Sequence, residues 1–229
     1  MSEPDHPPPS LVVTLAALTV VSGFVDAVSF LGLGHVFTAN MTGNVVLIGF
    51  AAAGVPGFSV AASLCALACF LAGALAGGRI VQKVSSQRSL LLVVMMIEAG
   101  GVTAATVVAG LVAAIGTGWP RYTVIGLLAA SMGVRNAAVR HIGVPDMSTA
   151  VLTTTLTGLA SDSRLAGGTN PHARLGMTTV LSMFAGALVG AVLVLHADAT
   201  WSLGVAACLV AATAVFFSRE APLELGLAR

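Results

Sequence analysis

The hydrophobic pattern of this chain is neither the period of two of a half-buried strand nor a narrow amphipathic stripe. It consists of long, nearly continuous apolar runs broken by short polar or glycine-rich intervals. "LVVTLAALTVVSGFVDAVSFL" (11–31) and "LLLVVMMIEAGGVTAATVVAGLVAAIG" (90–116) both meet the roughly 20 mostly apolar residues that a helix needs to cross a hydrocarbon core. Further long runs fall at 58–80, 121–140, 174–195 and 200–218. Two shorter segments, 37–54 and 147–161, are richer in threonine, serine and asparagine. The second of these, "MSTAVLTTTLTGLAS", would make about 22 Å of helix, short of a core of roughly 30 Å.

The pattern therefore predicts an all-α polytopic membrane protein. It has about six transmembrane helices plus two short polar helices that are re-entrant or broken. The alternation of a β-barrel is absent, and helices satisfy the backbone in lipid. Composition agrees: 57% of the 229 residues are hydrophobic, 8% are charged, and the mean hydropathy is +0.98. The beginning, "MSEPDHPPPS", has no basic residue, and the first apolar run exceeds a signal-peptide core, so that run is expected to be a retained helix. The whole chain is read as one membrane domain.

The chain also resembles itself. Gly23, Asp26 and Ala27 align with Gly133, Asn136 and Ala137 at an offset of 110. Thr38, Ala39 and Thr42 align with Thr149, Ala150 and Thr153 at 111, and "LAGALAG" (71–77) aligns with "FAGALVG" (184–190) at 113. A slowly growing offset is expected of two tandem copies, 11–116 and 121–218, with small insertions. Each copy would hold a long helix, a short polar one and two further long ones.

Basic residues bear on topology. With both short segments re-entrant and a cytoplasmic N-terminus, Arg79, Lys83, Arg88, Arg135, Arg140, Arg164, Arg174, Arg219 and Arg229 lie inside and Arg121 outside, as the positive-inside rule favours. Eight crossings would split the same ten residues evenly, which disfavours that arrangement. Seven crossings, with only the first short segment spanning and the N-terminus outside, give the same bias as six. Likeness of the two copies favours six, three per copy. An odd number per copy reverses the second relative to the first, giving the inverted-topology repeat common among secondary transporters.

Candidate chemistry gathers at the short segments. "HVFTANMTGN" (35–44) places His35, Thr38, Asn40, Thr42 and Asn44 where polar groups are costly. With Asp26, Asn136, Thr149, Thr153 and Thr154 they form the expected solute-binding set, because broken helices near the midplane present free N–H groups and a positive dipole end. Pro145 and Asp146 stand before the second short segment, with Ser148 or Thr149 as its N-cap. The competing reading is hydroxyls that bond to their own i−4 carbonyl, which is favoured for Thr155 and Thr157 singly.

Asp26 and Glu98 fall inside apolar runs, where a carboxylate is by default a functional hypothesis. Arg135 and Arg140 are their candidate ion-pair partners. A static pair that fixes helix packing and a protonation switch both remain open. His35 and His141 follow the two related helices and suit either an interfacial position or a gate. Gly73 with Gly77 and Gly186 with Gly190 make small-xxx-small faces for close helix packing, within the chain or across a dimer.

Several classes are disfavoured. Cys65, Cys69 and Cys208 form no metal-ligand pattern, so no metal site is expected and no cofactor is implied. A net charge of +1 without a basic cluster argues against nucleic acid. No nucleophile elbow or phosphate loop appears, so enzyme activity is not expected. The expected partners are the lipid bilayer, a small polar or anionic solute and, from size alone, a second copy in a homodimer. The leading expectation is a small-solute transporter or permease with Asp26 or Glu98 as its proton-coupling group. The alternatives are an accessory or assembly subunit and, less favoured, an intramembrane enzyme.

The stretches beginning at Gly23 and Gly133, above all "TANMTGN" and "TTTLTG", resemble the YoaK-type family of bacterial integral membrane proteins over nearly the whole chain. The resemblance implies a multi-pass protein of a bacterial inner membrane. It brings neither a substrate nor catalytic residues.

Overall fold

A computed structural model describes residues 8–112, 118–144, 152–169 and 173–220. Its regular elements are helical: α1 (Pro9–Gly32), α2 (Met41–Ala52), α3 (Val60–Lys83), α4 (Gln87–Leu111), α5 (Gly118–Ile142), α6 (Leu152–Ser161), α7 (Ala173–His196) and α8 (Ala199–Arg219), with a 3-10 turn at Arg164–Ala166 after α6. Six of them, all but α2 and α6, are long and apolar enough to cross a membrane. The chain is thus an all-α polytopic membrane protein.

Local chemistry sets the helix ends. Pro9 occupies the first turn of α1, where its missing N–H costs nothing. Ser59, Ser86 and Asp198 each accept a backbone N–H from the first turn of the helix that follows, α3, α4 and α8 respectively. The α1 helix stops where Gly34 and His35 both take positive φ, of 84° and 59°. Left-handed backbone is easy for glycine and uncommon for histidine. Arg88 at the start of α4 donates to the carbonyls of Ser218 and Glu220 at 2.9 and 2.7 Å, which ties down the end of α8.

The first short segment is shorter than the sequence suggested. Its helix begins only at Met41, because 37–40 form an irregular lead-in. At 12 residues α2 is about 18 Å long, short of a core of roughly 30 Å, and the 10 described residues of α6 are about 15 Å long. Residues 147–151 of the second segment, including Ser148 and Thr149, lie outside the described residues, as do Pro145 and Asp146.

The main helix contacts join α3 to α5, α1 to α7, α4 to both α5 and α8, and α1 to α8. Two of these interfaces are glycine-built. A Cβ on Gly73 would overlap the carbonyl of Ala130, and one on Gly133 would overlap that of Phe70. Gly186 meets Val20 and Gly23 meets Met183 in the same way. One turn on, Gly77 sits against Val134 and Ala137, and Gly190 against Phe24 and Ala27. Every contact of α3 with α5 in this set recurs in α7 with α1, displaced by the sequence offsets of 110 and 113. The small-residue faces are therefore used inside the chain, with backbones in van der Waals contact.

Direction follows from the same pairs. Gly73 with Ala130 and Gly77 with Val134 make α3 parallel to α5. Gly186 with Val20 and Gly190 with Phe24 make α7 parallel to α1. Arg121 reaches the Gly34 carbonyl at the end of α1, and Arg135 reaches the Leu18 carbonyl further back, so α1 and α5 are antiparallel.

Candidate functional site

Asp26 lies on α1 one and a half turns before that helix ends, fully enclosed. Its Oδ1 accepts the backbone N–H groups of Thr38 at 3.0 Å and Ala39 at 2.7 Å. The carboxylate thus holds the irregular lead-in to α2, whose N–H groups have no helical partner. Thr38 is buried beside it and donates to Ser29 Oγ at 3.4 Å. Asn44, also buried, accepts the Phe37 N–H through Oδ1 at 2.9 Å and donates through Nδ2 to the Phe37 carbonyl at 2.6 Å. One side-chain amide thereby replaces the pairing that a neighbouring strand would give.

His35 is exposed at the turn, its Nδ1 3.1 Å from the Gly57 carbonyl and its ring edge-on to Phe30 at 5.1 Å. Asn40 and Thr42 are exposed. The five polar residues of "HVFTANMTGN" thus divide into two that fasten the broken backbone, Thr38 and Asn44, and three that face outward, His35, Asn40 and Thr42.

The second group forms on the facing helices. Arg135 Nη1 donates to Glu98 Oε1 at 2.8 Å and to the Leu18 carbonyl at 3.0 Å, while Nη2 donates to Ser22. Three helices, α1, α4 and α5, therefore meet at one guanidinium, whose fork can serve several acceptors at once. Of the two arginines expected as partners, Arg135 is in an ion pair with Glu98. Arg140 is exposed on the last turn of α5 and makes no ion pair among the described residues. Arg135 is also not a loop charge: it is buried inside the helix bundle, and it drops out of the inside count.

Asn136, the counterpart of Asp26, is half-buried and donates to the Met132 carbonyl of its own helix at 2.9 Å. Thr153 and Thr154 are exposed on α6, whereas Thr155 is buried against α7 beside Gly176. Thr157 donates to the Thr153 carbonyl at 2.9 Å, the i−4 bond expected for it. Thr149 lies outside the described residues. Among the described residues no group of three or more histidine, cysteine or acidic side chains converges as a metal site would require.

Sequence reasoning missed Ser22, Ser29 and the Leu18 carbonyl. The signal was present: Ser22, Asp26 and Ser29 stand at i, i+4 and i+7, one stripe of α1. Arg121 was counted only as an outside charge. Its guanidinium closes over Gly34, where any side chain would collide with it.

Helices of this length around buried charges define a multi-pass α-helical membrane protein. The profile of the family described as "Protein of unknown function (DUF1275)" matches residues 14–216, and the chain belongs to that family. It is also 34% identical over 150 residues to the UPF0700 transmembrane protein YoaK of Bacillus subtilis (strain 168). That alignment covers 65% of this chain and 65% of the relative, so about a third of the relative lies outside it. No solved structure matches the chain.

Proposed function

We propose that the protein is a secondary transporter or permease of a bacterial inner membrane, built as a 3+3 inverted repeat. It moves a small polar or anionic solute past a midplane site flanked by α2 and α6, and Asp26 and Glu98 are its coupling groups. The observation that carries this reading is the recurrence of the α3–α5 glycine contacts in α7–α1, with α1 antiparallel to α5. Two copies in opposite orientation can exchange conformations so that a site between them opens to either face. The short α2 and the described part of α6 each follow the first long helix of a copy, where such a site would have its broken elements. Two buried carboxylates supply groups whose charge can change with the transport state.

The glycine faces that would serve an accessory subunit as an assembly surface are occupied inside the chain, which favours transport over that alternative. The test is reconstitution into liposomes that enclose a pH-reporting dye, followed by a panel of small organic anions, inorganic anions and amino acids. The expected result is solute-dependent movement of acid that protein-free liposomes lack. Folded protein that moves neither solute nor acid with any member of the panel would remove the reading.

A further inference from the structure

Among the described residues, the protein buries three charged side chains, Asp26, Glu98 and Arg135. They belong to one cluster. Arg135 pairs with Glu98 and also donates to Ser22, one helical turn before Asp26 on α1. With all three ionised the cluster carries one uncompensated negative charge.

The surrounding helices do not balance it. Arg79 and Lys83 of α3, Arg140 and His141 of α5, Arg174 and His196 of α7, and Arg219 of α8 are exposed near the ends of their helices. The half-buried Arg88 of α4 and Arg121 of α5, also near helix ends, donate to the carbonyls of Ser218, Glu220 and Gly34. The α2 helix has no charged residue and meets Asp26 only through the N–H groups before it. Cys65 and Cys69 of α3 are part-exposed and face α5 at Tyr122 and Gly126, far along that helix from Arg135.

The acids share one further feature. Each has one oxygen in use, whereas Asp26 Oδ2 and Glu98 Oε2 are buried and have no hydrogen-bond partner. An unpaired charge in an apolar interior is costly, and the group neutralises instead. A hard metal cation takes six or more oxygen ligands, whereas a proton needs one lone pair, which either free oxygen offers.

We infer that Asp26 and Glu98 share a single exchangeable proton, bound at one of their two free oxygens with Arg135 as common counter-ion, and that this proton is the coupled ion. Its role in coupling rests on the transport reading above. The site itself rests on the three buried charges. Release is a simple dissociation: the carboxyl O–H bond breaks, the proton leaves to water, and the electron pair stays on the carboxylate.

The test is infrared spectroscopy of the full chain in lipid nanodiscs, reading the C=O stretch of protonated carboxyl groups as buffer is changed from neutral to alkaline. One such band should be present at neutral pH and lost at alkaline pH. Carbon-13 labelling of aspartate or of glutamate in the wild type should each shift part of it, a readout that needs no substitution. Asp26→Asn and Glu98→Gln should each abolish the band, because the remaining acid is balanced by Arg135. A band that shifts with one label only, or that survives in both variants, overturns the shared proton. No band, or one that sodium removes at constant pH, overturns the proton as the bound ion. A band that behaves as expected in protein inactive in liposomes keeps the proton site and sinks the transport reading.

Discussion

The carboxylate of Asp26 accepts the backbone N–H of Ala39 at 2.7 Å across 13 positions of sequence. The bond joins the end of a spanning helix to the approach of one that does not span. It explains why a chain this apolar carries an acid here: the irregular backbone at 37–40 needs acceptors where water is absent.

Asp26→Ala removes that acceptor and leaves two buried N–H groups unpaired, each costing about 1 to 3 kcal/mol. A marked fall in the detergent melting temperature is expected. Asp26→Asn keeps an acceptor oxygen and should lose much less. Equal melting temperatures for wild type and Asp26→Ala would refute the tether.

The ion pair of Glu98 and Arg135 invites a double-mutant cycle. Arg135→Leu strands Glu98 and should cost about 3 to 5 kcal/mol, Glu98→Leu leaves Arg135 with Asp26 as its remaining counter-charge and should cost less, and the double substitution should be milder than the sum of the two. Additive losses, measured by chemical unfolding in micelles, would mean that the pair does not act as a unit.

Glycine substitutions separate packing from propensity. A Cβ at Gly73 or Gly186 meets a backbone carbonyl, so Gly73→Ala and Gly186→Ala should destabilise by about 1 to 3 kcal/mol through overpacking. Gly78 and Gly100 have open space around an added Cβ, and alanine there should be neutral or stabilise by up to about 1 kcal/mol. Thermal melts of the four variants check both halves of the statement, and a similar loss in all four would contradict it.

Topology is read by cysteine accessibility in intact cells, with Cys65, Cys69 and Cys208 replaced. A single cysteine at Gly57, in the exposed turn before α3, should label from outside, and one at Ser2 should stay protected. Labelling at both positions would place seven crossings in the membrane and withdraw the inverted repeat.

The hydrophobic pattern alone determined the fold class, because apolar run length and helix length in a bilayer are tied by the same rise per residue. It also located the six long helices and the first short one to within about five residues, while the start expected for the second short one lies outside the described residues. The spacing of Gly73, Gly77, Gly186 and Gly190 predicted close packing, since small residues at four-residue spacing share one helix face.

Sequence left the partners open. It offered Arg135 and Arg140 alike, although they lie on the same helix, and only the tertiary arrangement buried the first against Glu98 and left the second exposed. It grouped Thr38, Asn40, Thr42 and Asn44 as one polar set, yet the fold turned two inward to hold the backbone and two outward. The physical reason is that burial of a polar side chain depends on which neighbouring backbone lacks a partner, and that is decided by segments far apart in sequence.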